Sequence, residues 1–464
     1  MRGAAVFAIT VVPTAASAQE WLRDRRFSEG PGIRAGDLEL HPGIGGEVGY
    51  DSNWFLRSDK SAPNIVNGPP QNPATDGGMF RITPHMTVST LGPQRNTLAP
   101  GAPPAVTFRG GVSATYREFL GKQELRDQRN VSGHADMRLE ILPQRPWGAA
   151  VYALYDRTIQ ATVLGNPDLS FNRDDLGLGG EIVAQPNSGT LEWRLGGQVH
   201  GALFESTNGA PFNNVTYEVN TRGRWKFRPR TALIYDGTAR FLGYTNANRA
   251  TTSLHDSTPV RARFGITGLV TPRLSVLAMA GYAASFYRPG SDPTVQQYDS
   301  VIGQAEIKFF PTANAQGGEL VDASLTLSSI ALGYVRDYQN SYLGDFYGSD
   351  RGYAKVAYFF AGRALASLEG GVGAVEYPTI YFNPAAGLGT APVHAPFTDI
   401  RLDTTLFGEY RFTDSFAVNT TLNYAQNFSD TQLPVPTTPG APAGQVFDLS
   451  WKRFQAFLGV RLFL

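Results

Sequence analysis

The chain has 464 residues, with 40 basic and 40 acidic side chains, 51 glycines, 12% aromatic residues and no cysteine. The lack of cysteine excludes disulfides, thiol nucleophiles and cysteine-bound metals, and the zero net charge argues against a nucleic-acid partner. No window approaches the ~18 consecutive apolar residues that a membrane-spanning helix needs, which excludes a helical membrane protein.

The N-terminus has the pattern of a secretion signal. Arg2 is followed by an apolar run over residues 4–12 and by an Ala-Ser-Ala triplet at residues 16–18. A basic start, a short apolar region and an A-x-A site are typical of a signal peptide. We therefore predict a signal peptide over residues 1–18 and a short periplasmic tail over residues 19–36.

The rest of the chain alternates between apolar and polar residues with a period of two. In residues 215–228, valine, aromatic and glycine residues on one face alternate with threonine, asparagine and charged residues on the other, and residues 131–141 repeat the pattern. Successive side chains of a β-strand point to opposite sides. A soluble β-sandwich can alternate in this way too, but long strands with regularly placed charges favour a membrane barrel with lipid outside and water inside.

Short turns divide the alternating segments at regular intervals. They fall at Pro93, Pro143, Pro186, Pro229, Pro272, Pro311, Gly362 and Thr413. Each interval contains one strand, a longer polar loop and a return strand, so the eight turns join sixteen strands. A first strand near residues 37–55 and a last one at residues 449–464 bring the total to about eighteen. An even number places both termini on the periplasmic side.

The predicted fold class is all-β: a single transmembrane antiparallel β-barrel of about 18 strands, with no plug domain, over residues 37–464. We expect it to be an integral protein of a Gram-negative outer membrane, in contact with its lipid. Residues 19–36 are too few for a plug, which argues against siderophore receptors and barrel-insertion machines. A barrel of this size without a plug has a water-filled lumen, so it forms a channel unless its loops fold inward.

The alternation also assigns charged side chains to the lumen. Four neighbouring strands carry eight basic and three acidic residues on this face, and the first strand carries acidic ones on the opposite side of the barrel. The predicted pore-lining residues are Arg194, Arg222, Arg224, Lys226, Arg240, Arg261, Arg263, Glu39, Glu47 and Asp51. Each arginine can form a cross-strand ion pair that keeps the wall rigid and hydrated. The basic excess predicts in addition a path for anionic or hydroxyl-rich solutes.

The sequence contains no pattern typical of an enzyme. Its six histidines are scattered, and none has a partner at metal-ligand spacing. His134 and Asp136 share the predicted lumen face, but no further group is placed to complete a catalytic set. We predict no catalytic residue, no metal site, no cofactor and no enzymatic activity.

Two short segments resemble known outer-membrane proteins. The run Gly-Tyr-Asp-Ser-Asn-Trp-Phe-Leu-Arg at residues 49–57 resembles the opening strand of the β-barrel porin 2 family, of the myxobacterial type. Residues 457–464 resemble the C-terminal recognition strand of outer-membrane barrels, although they end in leucine where these usually end in phenylalanine or tryptophan. The first resemblance implies an eighteen-stranded barrel for exopolysaccharide export that works with a periplasmic polysaccharide-export protein.

These observations lead to three functional hypotheses. The first is a porin-like channel through which a surface polysaccharide leaves the cell. The second is a passive diffusion porin for small solutes, which a narrow constriction made by a folded-in loop would favour. The third is a structural or adhesive barrel in a surface motility or envelope complex, which a loop-occluded lumen with an apolar extracellular patch would favour.

Overall fold

The computed structural model describes residues 32–60, 73–90, 105–143, 145–159, 172–205, 210–245, 255–287, 295–311, 328–341, 345–360, 363–381, 392–434 and 446–464. The predicted signal peptide, most of the predicted tail and the predicted turns at Pro93 and Gly362 lie outside these residues.

The described chain consists almost entirely of β-strands. In chain order they are β1 (Ile33–Ala35), β2 (Leu38–Asp51), β3 (Gly77–Thr90), β4 (Val106–Leu120), β5 (Asn130–Ile141), β6 (Trp147–Thr158), β7 (Arg173–Ala184), β8 (Leu191–Phe204), β9 (Asn214–Arg228), β10 (Thr231–Tyr244), β11 (Ser257–Thr271), β12 (Leu274–Tyr287), β13 (Tyr298–Phe309), β14 (Ser329–Asn340), β15 (Phe346–Phe360), β16 (Ala364–Tyr377), β17 (Ile380–Tyr381), β18 (Pro392–His394), β19 (Phe397–Thr413), β20 (Phe416–Phe428), β21 (Gln432–Pro434), β22 (Val446–Asp448) and β23 (Trp451–Phe463).

Helices are short in this part of the chain. They are α1 (Gln123–Arg126), α2 (Pro186–Gly189) and a 3₁₀ turn (Ala210–Phe212). None of them is long and apolar enough to cross a membrane.

Eighteen of the described strands form a closed antiparallel barrel. Each pairs with the next in chain order, β16 pairs with β19, β20 pairs with β23, and β23 pairs with β2. The closing register runs from Gly43 opposite Phe463 to Asp51 opposite Gln455. We call the end of the barrel with the tight connections at residues 229–230 and 272–273 the turn end, and the opposite end the loop end.

The charged face of the sheet lies inside the barrel. Arg138 on β5 contacts Glu181 on β7, and Glu181 contacts Arg222 on β9, so these ion pairs reach across an intervening strand. Side chains of alternate strands converge on the concave side of a closed sheet. The apolar residues at the alternating positions, such as Val219 and Leu178, are 53% and 60% exposed on the outer side, as expected of a surface that faces lipid.

The predicted fold class is wrong in one respect, because the sheet has a nineteenth strand outside the ring. β1 pairs with the first residues of β2, from Ile33 opposite Leu40 to Ala35 opposite Leu38. The last strand ends where the Leu464 amide donates to the Pro42 carbonyl, so β2 extends beyond it. β1 folds back through a turn at Gly36, whose φ is +65°, and supplies the backbone partners that this edge would otherwise lack.

The sequence left open whether the loops fold into the lumen, and in the described part of the chain some of them do. At the loop end, segments between the strands fold inward and bury apolar side chains against the inner wall. This loop-end core consists of Leu56, Tyr347, Val375, Tyr377, Ile380, Leu433, Leu449 and Trp451. Two small two-stranded sheets, β17 with β18 and β21 with β22, belong to the same segments.

Candidate functional site

An ion-pair network on the inner faces of β5 to β9 is the main polar feature of the barrel interior. Its centre is Glu181, whose side chain is only 5% exposed and contacts three guanidinium groups. Arg194 donates to Glu181 at 2.9 Å and Arg222 donates to it at 3.2 Å, and Arg138 is the third donor. One carboxylate thus contacts three cations, and two of these, Arg138 and Arg194, also contact the carboxylates of Glu140 and Glu192.

The network continues along the neighbouring strands. Arg194 also donates to Glu192 at 2.7 Å, and Arg224 donates to the other oxygen of Glu192 at 2.6 Å. On the next two strands Arg240 donates to Glu218 at 2.5 Å, and Arg263 donates to Asp236 at 3.0 Å. Six arginines on the inner faces of β8 to β11 are together called the arginine wall. They are Arg194, Arg222, Arg224, Arg240, Arg261 and Arg263.

Two members of the arginine wall are strongly exposed inside the barrel. The Arg222 side chain is 57% exposed and that of Arg240 is 44% exposed, whereas the carboxylates that they contact are buried, at 5% and 10%. Water and solutes in the barrel therefore meet guanidinium groups rather than carboxylates at these positions.

Arg261 is held by a segment that bends into the barrel. Its Nη1 donates to Asp337 at 2.9 Å, and its Nη2 donates to the carbonyl oxygen of Tyr338 at 3.3 Å. Both partners belong to the loop end of β14, three strands away from β11. Such a contact requires residues 337–341 and 345–347 of the β14–β15 hairpin, which we call the hairpin tip, to lean across the inner faces of β12 and β13.

Several contacts anchor this hairpin tip. The Tyr338 ring stacks on Tyr298 with centroids 4.3 Å apart, and its hydroxyl donates to the Ala284 carbonyl at 3.1 Å. His255 contacts the Asp345 carboxylate at 3.0 Å. Because these groups come from β12, β13 and the segment before β11, the hairpin tip is fastened to the inner wall on several sides.

The remaining predicted pore-lining residues occupy different surroundings. Lys226 lies near the turn end, and within the described residues no ion pair involves it. Glu47 and Asp51 on β2 face inward, where Arg81 contacts Glu47 at 2.6 Å and Arg453 donates to Asp51 at 3.1 Å. Glu39, at the start of the same strand, lies 3.6 Å from the His41 ring nitrogen.

The arginines of the wall have more carboxylate partners than the alternation of the sequence predicted. The prediction placed three acidic residues in this region, and Glu181 and Asp337 were not among them. Glu181 could have been found by extending the alternation to residues 173–184. It lies opposite Gly196 on β8, which is on the same face of that strand as Arg194. Asp337 could not, since its contact depends on the inward bend of a hairpin 76 residues away in the chain.

His134, the histidine that the sequence placed on the lumen face, lies between two carboxylates. Its Nδ1 is 2.5 Å from Asp156, and its Nε2 is 3.1 Å from Asp136. Among the described residues no group of three histidine or acidic side chains could bind a metal ion.

No family model and no curated protein matches the chain. The chain is similar to the ferric enterobactin receptor PfeA of Pseudomonas aeruginosa in complex with enterobactin, with 10% identity over 93% of this chain and 82% of that chain and a TM-score of 0.46. It is similar to OccAB4 of Acinetobacter baumannii (9%, 92% and 98%, TM-score 0.42). A third similar structure is a bacterial polysaccharide outer membrane secretin (9%, 92% and 99%, TM-score 0.34).

The similarity concerns the fold, which resembles that of outer-membrane β-barrel proteins. Membership of the β-barrel porin 2 family remains a prediction.

Proposed function

We propose that the chain forms an outer-membrane channel that conducts small polar solutes, including anions, along the arginine wall. The observation that carries the proposal is the exposure of Arg222 and Arg240 inside a closed barrel, beside carboxylates that are themselves buried. Exposed guanidinium groups on a pore wall raise the local concentration of anions and orient polar solutes.

The inward hairpin tip supports small solutes as cargo. Anchored by Arg261 and Tyr338 on the inner side of β11 to β13, it reduces the cross-section at the loop end. A constriction of this kind is compatible with passive diffusion of small molecules and unfavourable for a thick polymer.

The second candidate function is export of a surface polysaccharide, with a periplasmic polysaccharide-export protein as partner. It rests on the resemblance of residues 49–57, and the polar ladder of arginine and carboxylate side chains is suited to hydroxyl-rich chains. Its test is the amount of polysaccharide on the surface and in the periplasm of cells that lack the protein. Loss of surface polymer that the wild-type gene restores would favour export over small-solute diffusion.

Conductance in planar lipid bilayers tests the channel directly. We expect discrete openings, and we expect Arg222→Gln combined with Arg240→Gln to shift the reversal potential in a salt gradient towards cation selectivity. Lys452→Gln is the matched control, because Lys452 is 62% exposed at the loop end and contacts Asp59 outside the arginine wall. An unchanged reversal potential in the double variant would refute the role of the wall, and a folded barrel without conductance would favour the structural hypothesis.

A further inference from the structure

The barrel wall splits between β13 and β14 near the loop end. The two strands pair from Phe309 opposite Ile330 up to Gly303 opposite Arg336. Beyond this point β13 continues alongside β12 as far as Tyr298, while β14 follows β15 into the inward hairpin tip. β13 and β14 therefore separate on the loop-end side of Arg336.

Arg336 bridges the strands at the end of this split that is nearer the turn end of the barrel. Its Nε donates to the Val301 carbonyl at 3.2 Å, its Nη2 donates to Ser300 at 3.4 Å, and its Nη1 donates to Asp350 at 2.5 Å. The guanidinium thus joins β13 to β15, and its charge is neutralised by the Asp350 carboxylate.

A cavity of about 350 Å³ lies in the split above Arg336. Four aromatic side chains line it, in two pairs. Tyr298 and Phe346 meet edge to face with centroids 5.0 Å apart, and Tyr377 and Phe397 stack with centroids 4.8 Å apart. We call this site the aromatic cavity.

The aromatic cavity contains one carboxylate. Glu376 is exposed and lies between Gly348 and Thr398 on the same face of the sheet. Its Oε2 would be only 3.5 Å from a Cβ atom at Gly348, so the carboxylate leans over the glycine into the cavity. Within the described residues no hydrogen bond or ion pair engages Glu376.

A side-chain bridge joins the two sides of the aromatic cavity at the loop end. Gln296, which precedes β13, donates to the Thr379 carbonyl at 2.7 Å and accepts from the Thr379 amide at 3.2 Å. Thr379 follows β16, so this reciprocal pair fixes the separation of the two aromatic pairs.

We propose that the aromatic cavity binds an organic ammonium group, such as the trimethylammonium group of a small solute or of a lipid headgroup. Aromatic faces attract cations through their quadrupoles and bind quaternary ammonium groups in cages of this composition. A carboxylate without a hydrogen-bond partner adds the complementary charge. The volume of the cavity lies at the lower end of the range for small-molecule sites. Its polar groups are too few to form hydrogen bonds with the hydroxyl groups of a saccharide ring.

Titration calorimetry with choline tests the site, with the purified barrel in a polyoxyethylene detergent that contains neither sugar nor choline. We expect choline to bind about tenfold more tightly than its neutral isostere 3,3-dimethylbutan-1-ol. Equal binding of the two would overturn the proposal, because the cavity would then recognise apolar volume alone. Binding of a neutral disaccharide without binding of choline would also overturn it.

Two variants and their controls locate the binding. Glu376→Gln should weaken choline binding by about tenfold, whereas Asp430→Asn should not, because Asp430 is a fully exposed carboxylate outside the cavity. Phe397→Leu should weaken it too, and Phe428→Leu, which changes an exposed outer ring, should not. Gel migration of the folded barrel checks that each variant is intact, and an unchanged choline affinity in intact Glu376→Gln protein would refute the assignment.

Nanodiscs distinguish the two sources of the ammonium group. If the natural ligand is a headgroup, choline should bind more weakly in phosphatidylcholine discs than in phosphatidylglycerol discs, because the lipid competes. Equal affinities would identify a free solute. Either result leaves the site in place, and neither depends on whether the barrel conducts.

Discussion

The arginine wall and the closing seam, the inner faces of β19, β20, β23 and β2, use the same chemistry in different surroundings. In the seam, the arginines Arg453 and Arg461, which contact buried carboxylates, are only 19% and 14% exposed. In the wall, Arg222 and Arg240 are 57% and 44% exposed. An ion pair that water reaches contributes little to stability, whereas the removal of one partner of a buried pair is costly.

Aromatic rings account for part of this difference. In the seam and its neighbour β3, the guanidinium of Arg81 lies 3.8 Å from the Phe457 ring centroid, and that of Arg411 lies 5.0 Å from the Phe463 centroid. These rings cover the cations and keep water away. Similar ion pairs therefore stabilise the closed barrel in the seam and are accessible to solutes in the arginine wall.

The largest expected effect is at Glu409. This carboxylate accepts from Arg411 at 2.9 Å and from Arg461 at 2.9 Å. Glu409→Gln should lower the free energy of unfolding by about 3–5 kcal/mol, because it removes a buried charge that compensates two guanidiniums of low exposure, 23% and 14%. Arg240→Gln should cost only about 0–1 kcal/mol, because water reaches this pair through the 44% exposed guanidinium and Asn220 still donates to Glu218.

Urea unfolding of the barrels in lipid vesicles measures both variants. Equal losses at Glu409 and Arg240 would contradict the distinction between the seam and the wall.

The second prediction tests which face of the wall strands meets lipid. Val219 lies on the outer face of β9 and is 53% exposed, whereas Asn220 lies on the inner face and donates to Glu218 at 3.1 Å. Val219→Arg should cost about 2–4 kcal/mol of barrel stability near the membrane midplane. Asn220→Arg should cost little, because its charge enters the aqueous interior.

The same unfolding assay compares these neighbouring positions. If both substitutions destabilise the barrel equally, the assignment of inner and outer faces is wrong.

The third prediction concerns a close approach in the seam. A Cβ atom at Gly49 would lie 2.2 Å from the Ala456 carbonyl oxygen and 2.2 Å from the Phe457 ring, so β23 or its ring must shift. Gly49→Ala should therefore destabilise the barrel by about 1–3 kcal/mol. At Gly201 on β8 a Cβ would meet no atom within 4 Å, and Gly201→Ala should change stability by less than about 0.5 kcal/mol. A tolerated alanine at position 49 would mean that the strands close less tightly than the register indicates.

The sequence predicted the barrel strands because their alternation is a local property. It placed Arg222 and Val219 on opposite faces, as the structure does, and it predicted β23 close to its observed bounds. The first strand is shorter than predicted and ends at Asp51 rather than near residue 55. The Asn53 side chain donates to the Arg57 carbonyl at 2.7 Å and accepts from the Arg57 amide at 3.0 Å, which turns the chain inward.

The interior contacts were beyond sequence reasoning because they depend on long-range geometry. The split between β13 and β14 and the aromatic cavity bring together side chains from four strands and their connections. No period or motif in residues 295–298 or 376–398 indicates that these segments meet. The charge of Glu376 and the rings around it are visible in the sequence, but their common cavity is not.

The smallest expected effect is a local pH dependence where the turn after β2 meets α1. Arg57, whose side chain is 5% exposed, donates to Glu124. This hydrogen bond, together with the charge of Arg57, lowers the pKa of the Glu124 carboxyl below its ordinary value, in spite of partial burial. A carboxyl with a lowered pKa stabilises the folded segment fully above the pKa of the unfolded state, and the contribution is lost as the pH falls through the lowered value.

Amide hydrogen exchange of α1, corrected for the intrinsic pH dependence of exchange, measures this effect. Protection of the Leu125 and Arg126 amides, which both donate to the Lys122 carbonyl, should be constant from neutral pH to the ordinary pKa of glutamate and should fall below it. Glu124→Gln should abolish this dependence and lower protection at neutral pH, while the 3₁₀ turn Ala210–Phe212 should respond equally in both proteins. If the variant kept the wild-type pH profile, another group would have to hold α1 against the turn after β2, and Arg57 would be a packing residue alone.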